Sequence, residues 1–199
     1  MTSITGILLA AGAGSRFGGG KLLHPLPGSG VPLALASCRR LRQAIDRVCV
    51  VVRAGDAGVI ELFENEDVCV VPCEDATEGM GHSIACGVAA MADADGWVIA
   101  LGDMPGVAPD TIGAIARSLG LGAAISVPTF DGRRGHPVGF GGRFLHELAA
   151  LTGDIGAREV LHAHRDLVRE VPVDDPGIHA DIDTRSDLDR LAGCRPQRS

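Results

Sequence analysis

The chain has 199 residues, 46% of them hydrophobic, with 28 glycines, no tyrosine and one tryptophan. That length suits one domain with a sizeable core, and a formal net charge of −7 excludes the broad basic face that nucleic-acid binding needs. No basic segment leads into an apolar stretch and cleavage site at the N-terminus, and no apolar run approaches a membrane span, so neither nucleic acid nor membrane is an expected partner and the cytoplasm is the expected location.

The first element is an apolar run over 4–9, read as a buried strand. It breaks into Leu9-Ala10-Ala11-Gly12-Ala13-Gly14-Ser15-Arg16-Phe17-Gly18-Gly19-Gly20-Lys21. Glycines let backbone N–H groups approach an anion, and the Arg and Lys supply charge against a polyphosphate. Two commoner glycine motifs fail here. The dinucleotide fingerprint G-x-G-x-x-G needs glycine where Phe17 stands. The P-loop needs glycine at Ser15 and Ser or Thr at Leu22. Further strands are expected over 48–52, 68–71, 97–101, 123–127, 137–140 and 168–173. Helices are expected over 32–44, 57–64, 83–91, 109–119, 143–151, 157–164 and 186–191. Val- and Ile-rich strands without polar alternation suggest a parallel sheet covered on both faces, and the alternation of strands with helices suggests a doubly wound α/β fold. Such folds bind ligands beyond the carboxyl ends of their strands. A single domain over 1–193 is expected, with a short polar tail over 194–199.

Several segments carry chemistry. The run 97–101 delivers Asp103 to a strand's carboxyl end within Gly102-Asp103-Met104-Pro105, where a hard metal ion is held between protein and phosphate. Asp181-Ile182-Asp183-Thr184 is a second carboxylate source. Alternation puts Asp181 and Asp183 on one face if the segment is extended, while Asp183 or Thr184 also suits a helix cap. Glu78-Gly79-Met80-Gly81-His82-Ser83 precedes a helix whose N-terminus favours negative charge. Arg133-Arg134-Gly135-His136-Pro137 sets two cations and an imidazole beside a strand, or forms a solvated hairpin. In Gly153-Asp154-Ile155-Gly156-Ala157-Arg158, Asp154 suits a cap and Arg158 a phosphate. The six cysteines, Cys38, Cys49, Cys69, Cys73, Cys86 and Cys194, contain no C-x-x-C pair and read as structural, as does the pair Cys69 and Cys73.

Taken together, from Ile4 to about Leu191, these segments resemble the molybdenum cofactor cytidylyltransferases, within the wider molybdopterin nucleotidyltransferase group. The resemblance rests on Leu9-Ala10-Ala11-Gly12 with Arg16, Gly18 and Lys21-Leu22-Leu23, then on Gly79-Met80-Gly81 with Ser83, Gly102-Asp103-Met104-Pro105, Gly135-His136-Pro137-Val138, Gly153 to Arg158, and Asp181-Ile182-Asp183-Thr184. It implies a three-layer Rossmann-like nucleotidyltransferase fold of α/β class with a mostly parallel central sheet. It implies Mg²⁺ on Asp103 and Asp183, with Arg16 and Lys21 on the triphosphate as catalytic groups beside Asp103. The nucleotide site it implies comprises Leu9, Ala10, Ala11, Gly12, Gly14, Arg16, Lys21, Gly81, His82 and Ser83, with CTP as nucleotide. The acceptor, molybdopterin or molybdenum cofactor, is expected on Gly135, His136, Pro137, Asp154 and Arg158. A transient contact with a molybdoenzyme or its maturation chaperone follows. Two positions depart from the family pattern: Arg185 where proline is usual, and His82 where Ser or Ala is usual.

The expected reaction is in-line attack by an acceptor phosphate on the α-phosphorus of CTP, with pyrophosphate leaving. A phosphate monoester is largely a dianion at neutral pH, so the site must bring two anions together rather than supply a base. Competing readings are the same chemistry with GTP or a sugar phosphate, a non-catalytic cofactor carrier, and a metal-dependent glycosyltransferase using Asp181 and Asp183. Because Arg16 and Lys21 lie on a loop expected to make few core contacts, replacing either by Ala is expected to cost rate more than stability.

Overall fold

The computed structural model describes residues 2–12, 14, 17–154 and 156–188. Strands β1 (Ile4–Ala10), β2 (Arg47–Arg53), β3 (Cys69–Cys73) and β4 (Gly96–Leu101) lie in the order β3-β2-β1-β4, all parallel. Alternation along β1 sends Leu8 and Ala10 to one face and Ile7 and Leu9 to the other. Helices α1 (Leu33–Ala44) and α4 (Pro109–Gly120) cover the first face through Leu33, Cys38, Leu41, Ile112, Ile115 and Leu119, joined by Val59 of the short α2 (Ala57–Glu61). Helices α3 (Met80–Ala90), α5 (Leu145–Ala149) and α6 (Arg158–Ala163) cover the second through Ile84, Val88, Leu148 and Val160. The result is the expected three-layer Rossmann-like nucleotidyltransferase fold.

The far half of the sheet differs from the expected parallel order. Strand β5 (Ile125–Phe130) turns through Asp131 and Gly132, both at positive φ, into β6 (Arg133–Arg134) and β7 (Val138–Gly141). An Asp-Gly pair at positive φ suits a two-residue hairpin turn, so β7 comes back antiparallel and wedges between β4 and β5. Strand β8 (Val168–Pro172) pairs with the opposite edge of β5 from Ile125 to Thr129, so β6 and β7 share one edge. Ser126 faces Gly139 while Thr129 faces Arg134. The four residues 135–138 therefore oppose Val127 and Pro128, and Gly135-His136-Pro137 bulges out, with a cis bond before Pro137. The sheet is mixed but largely parallel.

After β8 the chain returns across the carboxyl ends of the strands. Buried Asp175 accepts from the Ala108 N–H (2.9 Å), the Thr111 hydroxyl (2.7 Å) and the Gly177 N–H (2.9 Å). The N–H of buried Ile182 donates to the Asp103 carbonyl at 3.0 Å. These bonds fix the segment carrying Asp183 beside the end of β4. The helical turn at 185–188 falls where the last helix is expected; residues 189–191 of that expectation, Cys194 and the expected tail lie outside the described residues.

Candidate active site

The glycine loop leaves β1 and returns as a 3-10 turn, Lys21–Leu23. Gly14 has φ +59, and a Cβ there would meet the Lys21 Cβ at 2.9 Å, so only glycine lets the loop fold onto the lysine stem. The Gly14 carbonyl accepts from Phe17 and Gly19. Phe17 is buried, edge-on to His24, and Arg185 lies over its ring at 5.7 Å. The arginine that departs from the family pattern thus joins the C-terminal segment to the glycine loop.

Lys21 sits at the centre, 8% exposed. Its ammonium donates to Asp103 Oδ2 at 2.8 Å and to Asp183 Oδ1 at 3.2 Å. Burial pushes this ammonium down, but hydrogen bonds and charge from Asp103 and Asp183 outweigh it, and its pKa rises above the ordinary lysine value. The expectation of a lysine with few contacts is therefore corrected: removing it takes from two carboxylates the cation they share, which costs stability. Ser37 fixes the Asp103 turn from below, its hydroxyl donating to the Gly102 carbonyl at 2.9 Å. At the start of the helical turn Asp187 takes the backbone bonds, Oδ2 accepting from the N–H groups of Asp183 (3.1 Å) and Thr184 (2.7 Å), as in a capping box. Asp181 turns elsewhere; it is exposed and its charge acts on His136.

Two carboxylates already sharing one cation form a donor set that fits a hard divalent ion completed by phosphate oxygens. Among the described residues no group of three or more His, Cys, Asp or Glu gathers to hold a metal without such help.

Two cavities open at the carboxyl ends of the strands. One, of about 370 Å³, is lined by Leu9, Ala11, Gly12, Gly14, Lys21, Ser83 and Asp103. Arg16 lies outside the described residues. Ala10 faces the core. Gly81 packs against backbone: a Cβ there would meet the Thr152 carbonyl oxygen at 2.6 Å, and its N–H donates to the Gly153 carbonyl at 2.8 Å. His82 lines neither cavity; its Nε2 lies 3.8 Å from Glu78 Oε2. The second cavity, about 600 Å³, is lined by Gly135, His136, Asp154 and Arg158 over an apolar floor that includes Ile84, Ile99 and Val138. Pro137 faces the opposite side with Met104, Val107 and Ile112. Leu9, Met80, Leu101 and Asp154 border both cavities. Asp154 is therefore at the junction rather than in a cap, and the α6 N-cap position is Ala157. Arg53 and Thr77 also line the smaller cavity; neither stands in a motif that singles it out.

His136 is held neutral. Burial lowers its pKa, Arg158 adds to that, and Asp103 and Asp181 only partly oppose. Its folded pKa thus lies below the ordinary value of about 6.5. On acidification the unfolded chain takes up a proton that the folded chain declines, so stability falls from about pH 6.5 downwards. His136→Gln is expected to flatten this fall. Melting temperatures taken from about pH 7 to about pH 5 check it; equal acid slopes for the two proteins would contradict it.

Comparison with known proteins agrees with this geometry. Residues 6–168 match the family model for the MobA-like NTP transferase domain. The chain is 32% identical to the purine catabolism protein PucB of Bacillus subtilis (strain 168), over 94% of this chain and 95% of that protein. It is 32% identical to nicotine blue oxidoreductase of Paenarthrobacter nicotinovorans, over 94% and 96%. Its fold matches the crystal structure of Rv0371c from Mycobacterium tuberculosis H37Rv with a TM-score of 0.81 and 34% identity, over 96% of this chain and 97% of that one. The complex of Rv0371c with manganese matches with a TM-score of 0.79 and 31% identity, over 98% and 100%.

Proposed function

This chain belongs to the MobA-like NTP transferase family, and on that footing we propose that it transfers CMP from CTP to the phosphate of molybdopterin or molybdenum cofactor, releasing pyrophosphate. The observation that carries the proposal is the joining of Lys21, Asp103 and Asp183 in one ion-paired cluster at the wall of the smaller cavity, with a second cavity alongside.

The smaller cavity takes the nucleotide. On binding, Lys21 turns from the carboxylates to the triphosphate, joined there by Arg16. Asp103 and Asp183 would hold Mg²⁺, which would supply charge neutralisation at the phosphates. Manganese in the complex of the related Rv0371c supports a divalent ion. The acceptor lies in the larger cavity, its ring system on the apolar floor and its anionic groups near Arg158. The two bound anions meet at the shared border, where positioning and electrostatic stabilisation supply the rate. Product passes to a molybdoenzyme or its maturation chaperone. One relative is named an oxidoreductase; Phe17, standing where the dinucleotide fingerprint needs glycine, favours transfer over redox chemistry in this chain.

Ala11 supports cytosine over guanine, since a β-carbon narrows the space above the loop and a pyrimidine suffers less than a purine. One methyl is worth about 1–3 kcal/mol, so Ala11→Gly is expected to raise GTP use without abolishing CTP use. Pyrophosphate release with molybdenum cofactor as acceptor, measured as kcat/KM for each nucleotide, tests the assignment. Equal values for CTP and GTP in the unmutated protein would remove the cytidylyl specificity.

A further inference from the structure

Arg53 ends β2, on the face of the sheet that also carries Val51 and Cys49. It lines the smaller cavity together with Ala76 and Thr77. One terminal nitrogen, Nη2, donates to the Ala11 carbonyl at 3.3 Å, at the long limit of a hydrogen bond. Its Nε is buried and meets no partner among the described residues. A buried donor left unpaired is costly, and guanidinium nitrogens donate without accepting. Nε is closed off from the cavity, so the two terminal nitrogens are the donors that a molecule in the cavity can meet.

Its position along the cavity sets what it meets. Asp103 follows β4 and Arg53 ends β2, two strands away in the order β2-β1-β4. Neighbouring strands lie about 4.8 Å apart, so roughly 10 Å separates the two ends of the cavity. With the phosphates at Lys21 and Asp103, the far end receives the base. We propose that Arg53 reads the base: its guanidinium donates to O2 and N3 of cytosine, two adjacent acceptors on one edge. This rests on the nucleotidyltransferase reading and deepens it. Uracil carries N–H at position 3, so the same fork faces a donor there and loses one bond. A bidentate arginine–base pair discriminates by about 1–3 kcal/mol, roughly fivefold to a hundred-and-fiftyfold.

Calorimetric binding without acceptor tests this, using CTP, UTP, 3-deaza-CTP and inorganic triphosphate as probes. The unmutated protein is expected to prefer CTP over both UTP and 3-deaza-CTP by about fivefold or more. Arg53→Met is expected to bind CTP about fivefold to a hundred-and-fiftyfold more weakly, to lose both preferences, and to bind inorganic triphosphate unchanged. The deaza comparison within the unmutated protein tests the contact even if Arg53→Met folds poorly, which its melting temperature reports. A parallel loss of triphosphate binding would make Arg53 a phosphate anchor and overturn the proposal, as would an unchanged CTP-to-UTP ratio in the variant. Failure of the unmutated protein to bind any nucleotide would sink the nucleotidyltransferase reading itself.

Discussion

Asp103→Asn is expected to lower kcat by about a thousandfold or more while the protein stays folded. The amide keeps the size and much of the hydrogen bonding of the carboxylate, and the Asp103 backbone carbonyl still accepts from Ile182. What is lost is the charge that faces Lys21 at 2.8 Å and that would hold the divalent ion. The measurement is pyrophosphate release against metal concentration, with a thermal melt alongside. Full activity with unaltered metal dependence would remove Asp103 from the site. Unfolding at ordinary temperatures would make it a structural carboxylate instead.

Asp183→Ala is expected to reduce activity far more than Asp181→Ala, by about a hundredfold against a few-fold. The two residues straddle buried Ile182, yet only Asp183 reaches Lys21, at 3.2 Å. Asp181 borders a separate opening with Arg133, His136 and His179. Its removal relieves a charge near His136 and leaves the Lys21 cluster intact. Parallel kcat/KM measurements on the two variants decide the matter; the reverse ranking would move the metal ligand to Asp181.

The parallel half of the molecule was legible because local signals and packing agree. The runs over 4–9, 48–52 and 97–101 are buried on both faces, so composition alone marks them, and the observed strands differ by a residue or so at each end. The antiparallel wedge was harder to see. The apolar run over 137–140 looks like any buried strand, and its direction depends on Asp131-Gly132, a hairpin signal only when strands on both sides are already recognised. The α3 helix begins at Met80 rather than at 83, because Gly79 and Gly81 serve close backbone packing on Thr152, Gly153 and Asp154 and so do not end the helix as their propensity suggests.

Site residues divide in the same way. Lys21 and Asp103 each stand in a recognisable motif that follows a buried strand. Spacing left Asp183 balanced between metal and cap. The structure adds what spacing lacks: Asp187 takes the backbone bonds at the helix start, and the long-range bond from Ile182 to Asp103 brings Asp183 beside Lys21. Arg53 was invisible because one arginine at the end of a valine-rich strand has no pattern; only the neighbouring strand order and its unpaired Nε distinguish it from a solvated charge.

The most direct measurement is the mass of the product. The protein is incubated with Mg²⁺, molybdenum cofactor and each of CTP, GTP, UTP and ATP in turn, and the nucleotide products are identified by mass spectrometry with pyrophosphate assayed in parallel. The account predicts a cytidine dinucleotide of the cofactor from CTP, with pyrophosphate released in equal amount and little product from the other three. Consumption of no nucleotide, or a guanosine dinucleotide formed in preference to the cytidine one, would contradict it.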